Sequence, residues 1–226
     1  MSEAVQDYLK AIYKLQSDAG KVSTSALAEY LKVAPPSATG MIGRLVDAGL
    51  LRHDRYRGVE LTEAGARAAL EIIRHHRLWE LFLAEALRVP LERLHEEAER
   101  LEHVLSDDLE DHLDRALGYP TVDPHGDPIP GKDGTLPPGS QYTLTDLAVG
   151  ARARVARVPD SDPALLRYLS ELGLLPGAHV SVVRKDPFDG PLYLRVDGVD
   201  DPRVIGSELA RRICVDNFEQ LEEGGQ

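Results

Sequence analysis

Four residues with metal-binding side chains recur at helical intervals in an acidic part of the sequence, namely His95, Glu99, Glu102 and His103. Their spacing of i, i+4, i+7 and i+8 predicts one face of a single α-helix, which has about 3.6 residues per turn. Imidazole nitrogens and carboxylate oxygens on one stripe can bind a divalent ion, especially where a second element adds a donor. The pattern therefore indicates a metal site.

A second pair, His76 and Glu80, has i, i+4 spacing on the preceding predicted helix. The alternative interpretation is structural, because the segment 92–114 contains ten acidic and two basic residues. A helix this acidic can expose its charged face to solvent and carry histidines that bind no metal. Spacing alone leaves both interpretations open. Three other histidines are interpreted as incidental or as loop residues: His75, His112 and His125.

The composition is that of a globular protein, with 226 residues, 42% of them hydrophobic and 28% charged. The 26 basic against 38 acidic residues argue against a protein that coats nucleic acid through bulk charge. Cys214 is the only cysteine, which excludes an intrachain disulfide and zinc-finger spacings. The apolar stretches are far shorter than the roughly 18 residues of a membrane helix. We therefore expect a cytoplasmic protein with no membrane association.

The elements that must position these residues begin with a predicted helix-turn-helix. A first amphipathic helix precedes Gly20, and Ser23 or Thr24 can cap the next one. The turn 33–36 ends that helix, and Ser37 is predicted to open another, ended by Gly49. Two short apolar strands around a basic tip follow in the segment 50–62, which predicts a β-hairpin wing.

A winged helix reads DNA with the N-terminal end of its second helix. The residues expected to face bases are Pro36, Ser37, Thr39 and Gly40, with Met41 as a further candidate. Those expected to contact phosphate are Ser37, Thr39, Arg44 and the wing residues Arg55, Tyr56 and Arg57. The alternative is a helical hairpin used for packing, with Ser37 as an ordinary helix cap.

The rest of the chain predicts two long helices and a small β domain. Thr62 starts one helix, which Pro90 ends, and an acidic helix is predicted from Leu91 to Leu117. The segment 118–139 is dense in Pro, Gly and Asp and predicts a linker or an ordered loop. Short β runs around one helix then indicate a barrel of the SH3 type.

The order of these parts resembles the diphtheria toxin repressor family of metal-dependent transcription regulators, including its manganese transport regulator branch. The stretches that carry the resemblance are 7–13 (DYLKAIY), 56–58 (YRG), 76–80 (HRLWE), 95–106 (HEEAERLEHVLS) and 124–131 (PHGDPIPG). The last part resembles the SH3-like domain of the ferrous-transport accessory type, through 172–177, 180–183, 190–191 and 210–215. The resemblance covers nearly the whole chain.

The resemblance implies a mainly α fold with small β elements, divided into four parts. These are a winged helix-turn-helix DNA-binding domain (1–64), a helical metal-binding and dimerisation domain (65–118), a Pro/Gly-rich linker (119–140) and a C-terminal SH3-like β-barrel (141–220).

The resemblance also implies two metal sites. The primary, activating site would take Asp7, Glu99, Glu102 and His103. The ancillary site would take His76, Glu80 and His95, with an acidic residue from the SH3-like domain. Ungapped matching back from Pro176-Gly177 puts that residue at Asp162, and a gap in the loop would shift it to Asp160.

Departures from the family pattern bear on the choice of metal. Iron-responsive relatives place methionine at Asp7 and cysteine at Glu99, whereas carboxylates at both positions favour Mn²⁺ over Fe²⁺. The manganese branch usually has glutamate where Lys10 stands and lacks the extra domain, which argues against its binuclear arrangement. Gly40 stands where the iron branch has a glutamine in the recognition helix. The operator sequence of the iron branch therefore cannot be assigned to this chain.

The sequence thus predicts a cytoplasmic, homodimeric, metal-activated regulator, mainly a repressor, that binds a double-stranded DNA operator. The expected metal is Mn²⁺, with Fe²⁺ or another divalent transition metal as alternatives, and the expected targets are manganese or iron uptake genes. No catalysis is expected. A metal-dependent hydrolase is one alternative, although no nucleophile or separate general base is evident beside the ligands. A winged-helix regulator that senses an organic ligand is another.

Overall fold

The computed structural model describes residues 1–54 and 58–219. The N-terminal part contains α1 (Glu3–Ala19), α2 (Thr24–Tyr30), α3 (Pro35–Asp47), β1 (Leu51–Asp54) and β2 (Gly58–Leu61). The middle part contains α4 (Glu63–Glu85), α5 (Leu91–Leu101), a 3₁₀ turn (Glu102–Val104) and α6 (Asp107–Ala116). The C-terminal part contains β3 (Tyr142–Thr143), β4 (Arg152–Arg157), α7 (Pro163–Leu172), β5 (His179–Lys185), β6 (Leu192–Val196), β7 (Arg203–Ile205), α8 (Ser207–Ala210) and β8 (Cys214–Glu219). None of the described helices combines the length and apolar character needed to cross a bilayer.

The N-terminal part is a winged helix-turn-helix. Ser23 caps α2, since its hydroxyl oxygen accepts a hydrogen bond from the Ala26 N–H at 3.1 Å. The prediction that Ser37 opens the next helix is wrong, because α3 begins at Pro35. Proline fits the first helical positions, where no N–H partner is lost. The antiparallel pair β1 and β2 forms the wing, and its predicted tip contacts, Arg55, Tyr56 and Arg57, lie outside the described residues.

The acidic segment does not form the single helix that the sequence predicts. α5 ends at Leu101, and Glu102 and His103 lie in the 3₁₀ turn that follows. Leu105 is extended, and the Ser106 hydroxyl accepts from Leu109 N–H at the start of α6. A local serine cap thus competes with continuation of the helix. Glu99 and Glu102 nevertheless share a face across the end of α5, because both carboxylates contact Lys10 Nζ.

The segment 118–139 is an ordered loop, here called the proline loop. Asp123 Oδ1 accepts hydrogen bonds from the backbone N–H groups of His125 and Asp127, both at 2.9 Å. Gly126 has φ +91°, and a Cβ there would lie 1.9 Å from the Ala156 carbonyl oxygen. Glycine is therefore required for the proline loop to pack against β4.

The C-terminal part is a six-stranded antiparallel sheet with the order β3-β8-β4-β5-β6-β7, consistent with an SH3-like domain. Its apolar core includes Val155, Leu169 and Leu194, and Leu91 of α5 packs against it. A separate core under the winged helix includes Leu9 and Leu45. A smaller cluster joins α4, α6 and the proline loop. The middle part lies between the other two, because α4 contacts α1 and α5 contacts α7.

Candidate metal centres and nucleic-acid interface

Asp7, Glu102 and His103 converge where α1 meets the 3₁₀ turn. His103 Nε2 lies 3.1 Å from Asp7 Oδ1 and 3.6 Å from Glu102 Oε1. One donor atom from each of the three residues lies within 4.8 Å of the others, a separation that one metal ion can bridge. We call these residues the Asp7 group. It joins a helix of the winged domain to the turn that follows α5.

Glu99, the fourth residue predicted for the primary site, does not belong to this group. Its Oε1 lies 2.6 Å from Lys10 Nζ, 3.6 Å from His95 Nε2 and 4.0 Å from His76 Nδ1. Lys10 also contacts Glu102. Burial would raise the pKa of Glu99, but the neighbouring Lys10 ammonium outweighs this effect and lowers it. Glu99 is thus an ionised partner of Lys10 that lies between the two predicted sites, and its donor atom is also within 4.8 Å of donor atoms of His76 and Glu102, as one metal ion would require.

His76, Glu80 and His95, predicted for the ancillary site, form a second group. His76 Nε2 lies 3.1 Å from Glu80 Oε1 and 3.0 Å from His95 Nδ1. His76 Nδ1 lies 2.5 Å from Glu102 Oε2, so the Glu102 carboxylate faces both groups. α4 supplies His76 and Glu80 one turn apart, and α5 supplies His95 opposite them. We call these residues the His76 group.

A third group, which the sequence did not predict, consists of Glu80, Asp123 and His125. One donor atom from each lies within 4.8 Å of the others, and all three residues are buried. Glu80 Oε2 and His125 Nδ1 are 3.7 Å apart, and neither has a hydrogen-bond partner among the described residues. Buried polar atoms without partners are rare in native proteins, so this pair fits a bound cation. The available signal was the sequence of the proline loop, where carboxylates at 123 and 127 flank the histidine.

Protonation in these groups reflects their excess of carboxylates. Burial lowers the pKa of His76, but hydrogen bonds to Glu102 and Glu80 more than offset this and raise it to about 9. Burial likewise lowers the pKa of His125, and the Glu80 carboxylate outweighs it and raises it to about 9. Burial, followed by the charge of Glu80, raises the pKa of Asp123 to about 8. The raised pKa values mean that His76, His125 and Asp123 hold protons near neutral pH. A divalent cation bound by these side chains would displace those protons, so metal binding must release protons.

The two candidate acidic residues of the C-terminal domain lie in different places. Asp162 caps α7, where its Oδ1 accepts from the backbone N–H groups of Ala164 and Leu165 at 2.8 and 3.3 Å. Asp160 is half-buried in the cleft that His76 also lines. Its charge contributes to the raised pKa of His125. The structure therefore brings Asp160, and not Asp162, close to the buried histidines.

α3 carries the residues predicted to contact DNA, most of them near its N-terminal end and Arg44 in its last turn. The exposed ones are Pro36, Ser37, Thr39, Gly40 and Arg44. Met41, the further candidate, is buried in the core of the winged domain. The Thr39 hydroxyl donates to the Pro35 carbonyl oxygen at 3.0 Å. A Cβ at Gly40 would have no heavy atom within 4 Å, so packing does not require this glycine.

Comparison with known proteins assigns each part to a family domain. The family described as the iron dependent repressor, N-terminal DNA binding domain, matches residues 1–59. The iron dependent repressor, metal binding and dimerisation domain, matches residues 62–131. The FeoA domain matches residues 142–217. The iron-dependent repressor IdeR of Mycobacterium tuberculosis is 34% identical over 192 residues, which are 80% of this chain and 84% of IdeR.

The chain belongs to the iron-dependent repressor family. This repressor is 26% identical to the diphtheria toxin repressor of Corynebacterium diphtheriae over 226 residues, which cover 96% of this chain and 98% of that one. Among solved structures, a manganese-dependent transcriptional repressor in complex with manganese is 40% identical. Its TM-score is 0.84, and the match covers 93% of this chain and 98% of that one.

Family membership confirms the function class that the sequence predicted. The members are metal-dependent, DNA-binding transcriptional repressors and not enzymes, with manganese-dependent and iron-dependent branches. Neither a hydrolase nor a sensor of an organic ligand finds support. The winged, helical and SH3-like parts are likewise confirmed.

Proposed function

We propose that this repressor is a cytoplasmic homodimer that binds a double-stranded DNA operator when Mn²⁺ is bound, and that it represses manganese uptake genes. Fe²⁺ is the second candidate activator, and iron uptake genes are the second candidate targets. The observation that carries the proposal is the Asp7 group, in which α1 of the winged domain meets Glu102 and His103 of the metal-binding domain. Occupancy at this junction can bias the orientation of the DNA-binding domain.

Three residues from two elements fit an activating site. Asp7, Glu102 and His103 would hold the ion, which would supply positive charge between two carboxylates and one imidazole. The His76 group and the group of Glu80, Asp123 and His125 share Glu80 and would form the ancillary region, with Asp160 nearby. All these donors are oxygen or nitrogen atoms, and carboxylate-rich sets suit Mn²⁺. The 40% identical repressor that contains manganese supports the same metal.

The dimer would place two copies of α3 at the spacing of two operator half-sites. The matched dimerisation domain contains exposed apolar side chains that a partner subunit could cover. These are Leu87, Val104, Leu109, Tyr119 and Val122. When the Asp7 group holds metal, α1 is tied to this dimerising domain, which would limit the relative positions of the two α3 helices.

The test is operator binding by fluorescence anisotropy, with a duplex selected from a random library in the presence of Mn²⁺. The titration is repeated with Mn²⁺, with Fe²⁺ under anaerobic conditions and with excess chelator. We expect Mn²⁺ to increase affinity by at least about 10-fold over chelator, which corresponds to about 1.4 kcal/mol. Equal affinity with Mn²⁺ and with chelator would contradict the central proposal, and stronger activation by Fe²⁺ would overturn the metal assignment.

A further inference from the structure

The two ring nitrogens of His103 face different groups. Nε2 points into the Asp7 group, 3.1 Å from Asp7 Oδ1. Nδ1 lies on the other edge of the ring, 2.7 Å from Gln6 Oε1. Gln6 and Asp7 are consecutive residues of α1, so one helix contacts both edges of the imidazole.

A neutral imidazole carries one ring proton, and a nitrogen that ligates a metal must be unprotonated. When Nε2 ligates, the proton therefore resides on Nδ1 and needs an acceptor. An amide oxygen accepts and cannot donate. We propose that Gln6 is a positioning residue, which holds the proton of His103 on Nδ1 and leaves the Nε2 lone pair directed at the metal.

This inference rests on the proposed function, because it requires the Asp7 group to bind metal. It adds a second link between the winged domain and the site. Asp7 would contact the ion directly, and Gln6 would act on it through His103. Hydrogen-bond partners of metal-binding histidines fix the ring orientation, and their loss typically weakens metal affinity about 10-fold to 100-fold.

Two substitutions separate the acceptor role of Gln6 from its bulk. Gln6→Met keeps a similar length but removes the acceptor, whereas Gln6→Glu keeps an acceptor oxygen. Calorimetric titration with Mn²⁺ should show at least about a 10-fold weaker site in Gln6→Met. Gln6→Glu should show no loss of affinity, because its carboxylate accepts the same hydrogen bond and adds negative charge near the cation. Glu3→Met, at an exposed position of the same helix, is the control for changes in α1. His103→Ala shows which titration phase belongs to the Asp7 group.

The ¹⁵N chemical shifts of the His103 ring provide a readout that depends on the tautomer. In the metal-free protein the Asp7 carboxylate also offers Nε2 an acceptor at 3.1 Å, so the readout is the difference between variants. The Nδ1–H fraction of the neutral ring should be lower in Gln6→Met than in the wild type. Wild-type affinity or an unchanged tautomer in Gln6→Met would overturn the inference, as would equal losses in Gln6→Met and Gln6→Glu. An unchanged Mn²⁺ titration in His103→Ala would instead overturn the proposed site itself.

Discussion

Lys10 places an ammonium group between the carboxylates of Glu99 and Glu102, with its side chain 8% exposed. Burial alone would lower the pKa of Lys10, but these two carboxylates outweigh that effect and raise it. Lys10 therefore remains charged and neutralises carboxylates beside the Asp7 group. A fixed cation here opposes the binding of a second metal ion at Glu99 and Glu102.

Replacing Lys10 by methionine tests this role at the scale of one residue. Removing one partner of a buried ion pair leaves uncompensated charge, so the free energy of unfolding of the metal-free protein should fall by about 3 kcal/mol. Added Mn²⁺ should restore more stability in Lys10→Met than in the wild type, because it can replace the lost positive charge. Urea unfolding with chelator and with Mn²⁺ measures both effects.

Lys14→Met, on the same helix, is the matched control and should show the wild-type response to Mn²⁺. If Mn²⁺ stabilises Lys10→Met no more than the wild type, Lys10 does not stand in for a cation.

The element that would enter the major groove is α3. Its buried face, which includes Ala38 and Leu45, packs into the core of the winged domain. The opposite face carries Gly40 and Arg44 in exposed positions. A glycine in a helix interior destabilises the helix by about 1 kcal/mol relative to alanine. Since no neighbouring atom requires Gly40, close approach to DNA is the role that we infer for it.

Arg44→Gln tests the phosphate contact assigned to this helix. The plot of log affinity for the operator against log salt concentration should lose about one unit of slope, because one fewer phosphate is neutralised. Affinity should fall to a similar extent for operator and for unrelated duplex DNA. Arg93→Gln, at an exposed position of α5, is the control. An unchanged slope in Arg44→Gln would place this arginine away from the DNA backbone.

In the whole molecule, the C-terminal domain closes over the proline loop. The Val158 N–H donates to the His125 carbonyl oxygen at 2.9 Å, and an Arg157 guanidinium nitrogen lies 3.2 Å from Asp127 Oδ1. Asp160 lies two residues after Val158, and its charge contributes to the raised pKa of His125. The C-terminal domain thus supports the candidate metal group of Glu80, Asp123 and His125 from outside the metal-binding domain.

Removing all residues after Gly139 should leave a folded dimer that binds less metal. The winged domain and the helices α4 to α6 keep their own apolar clusters. The proline loop loses its contacts with β4, so the group of Glu80, Asp123 and His125 should weaken. Calorimetry with Mn²⁺ and analytical ultracentrifugation measure metal stoichiometry and dimerisation.

Asp160→Ala in the full chain is the companion variant. It should weaken Mn²⁺ binding at the group of Glu80, Asp123 and His125 without changing dimerisation. A monomeric truncated protein would show that the dimer interface involves the C-terminal domain.

Local sequence patterns were sufficient to predict the winged helix and the hairpin strands, whereas the class of metal-dependent regulator was predicted from the family resemblance. Caps such as Ser23 and apolar periodicity act within a few residues, so they can be read from the chain alone. The Asp7 contact with His103 was also expected, but on the strength of the family resemblance. Local patterns did not predict the structure of the acidic segment. The spacing of its residues indicated one continuous helix, whereas α5 ends at Leu101.

The sequence by itself determined which residue types were available, namely carboxylates and imidazoles without sulfur in the candidate ligand set. Only the tertiary structure decided how they are grouped. It pairs Glu99 with Lys10, makes Asp162 a helix cap and brings His125 from the proline loop to Glu80 on α4. The physical reason is that these contacts join residues far apart in the chain, so their distances depend on how whole elements pack rather than on local conformational preference.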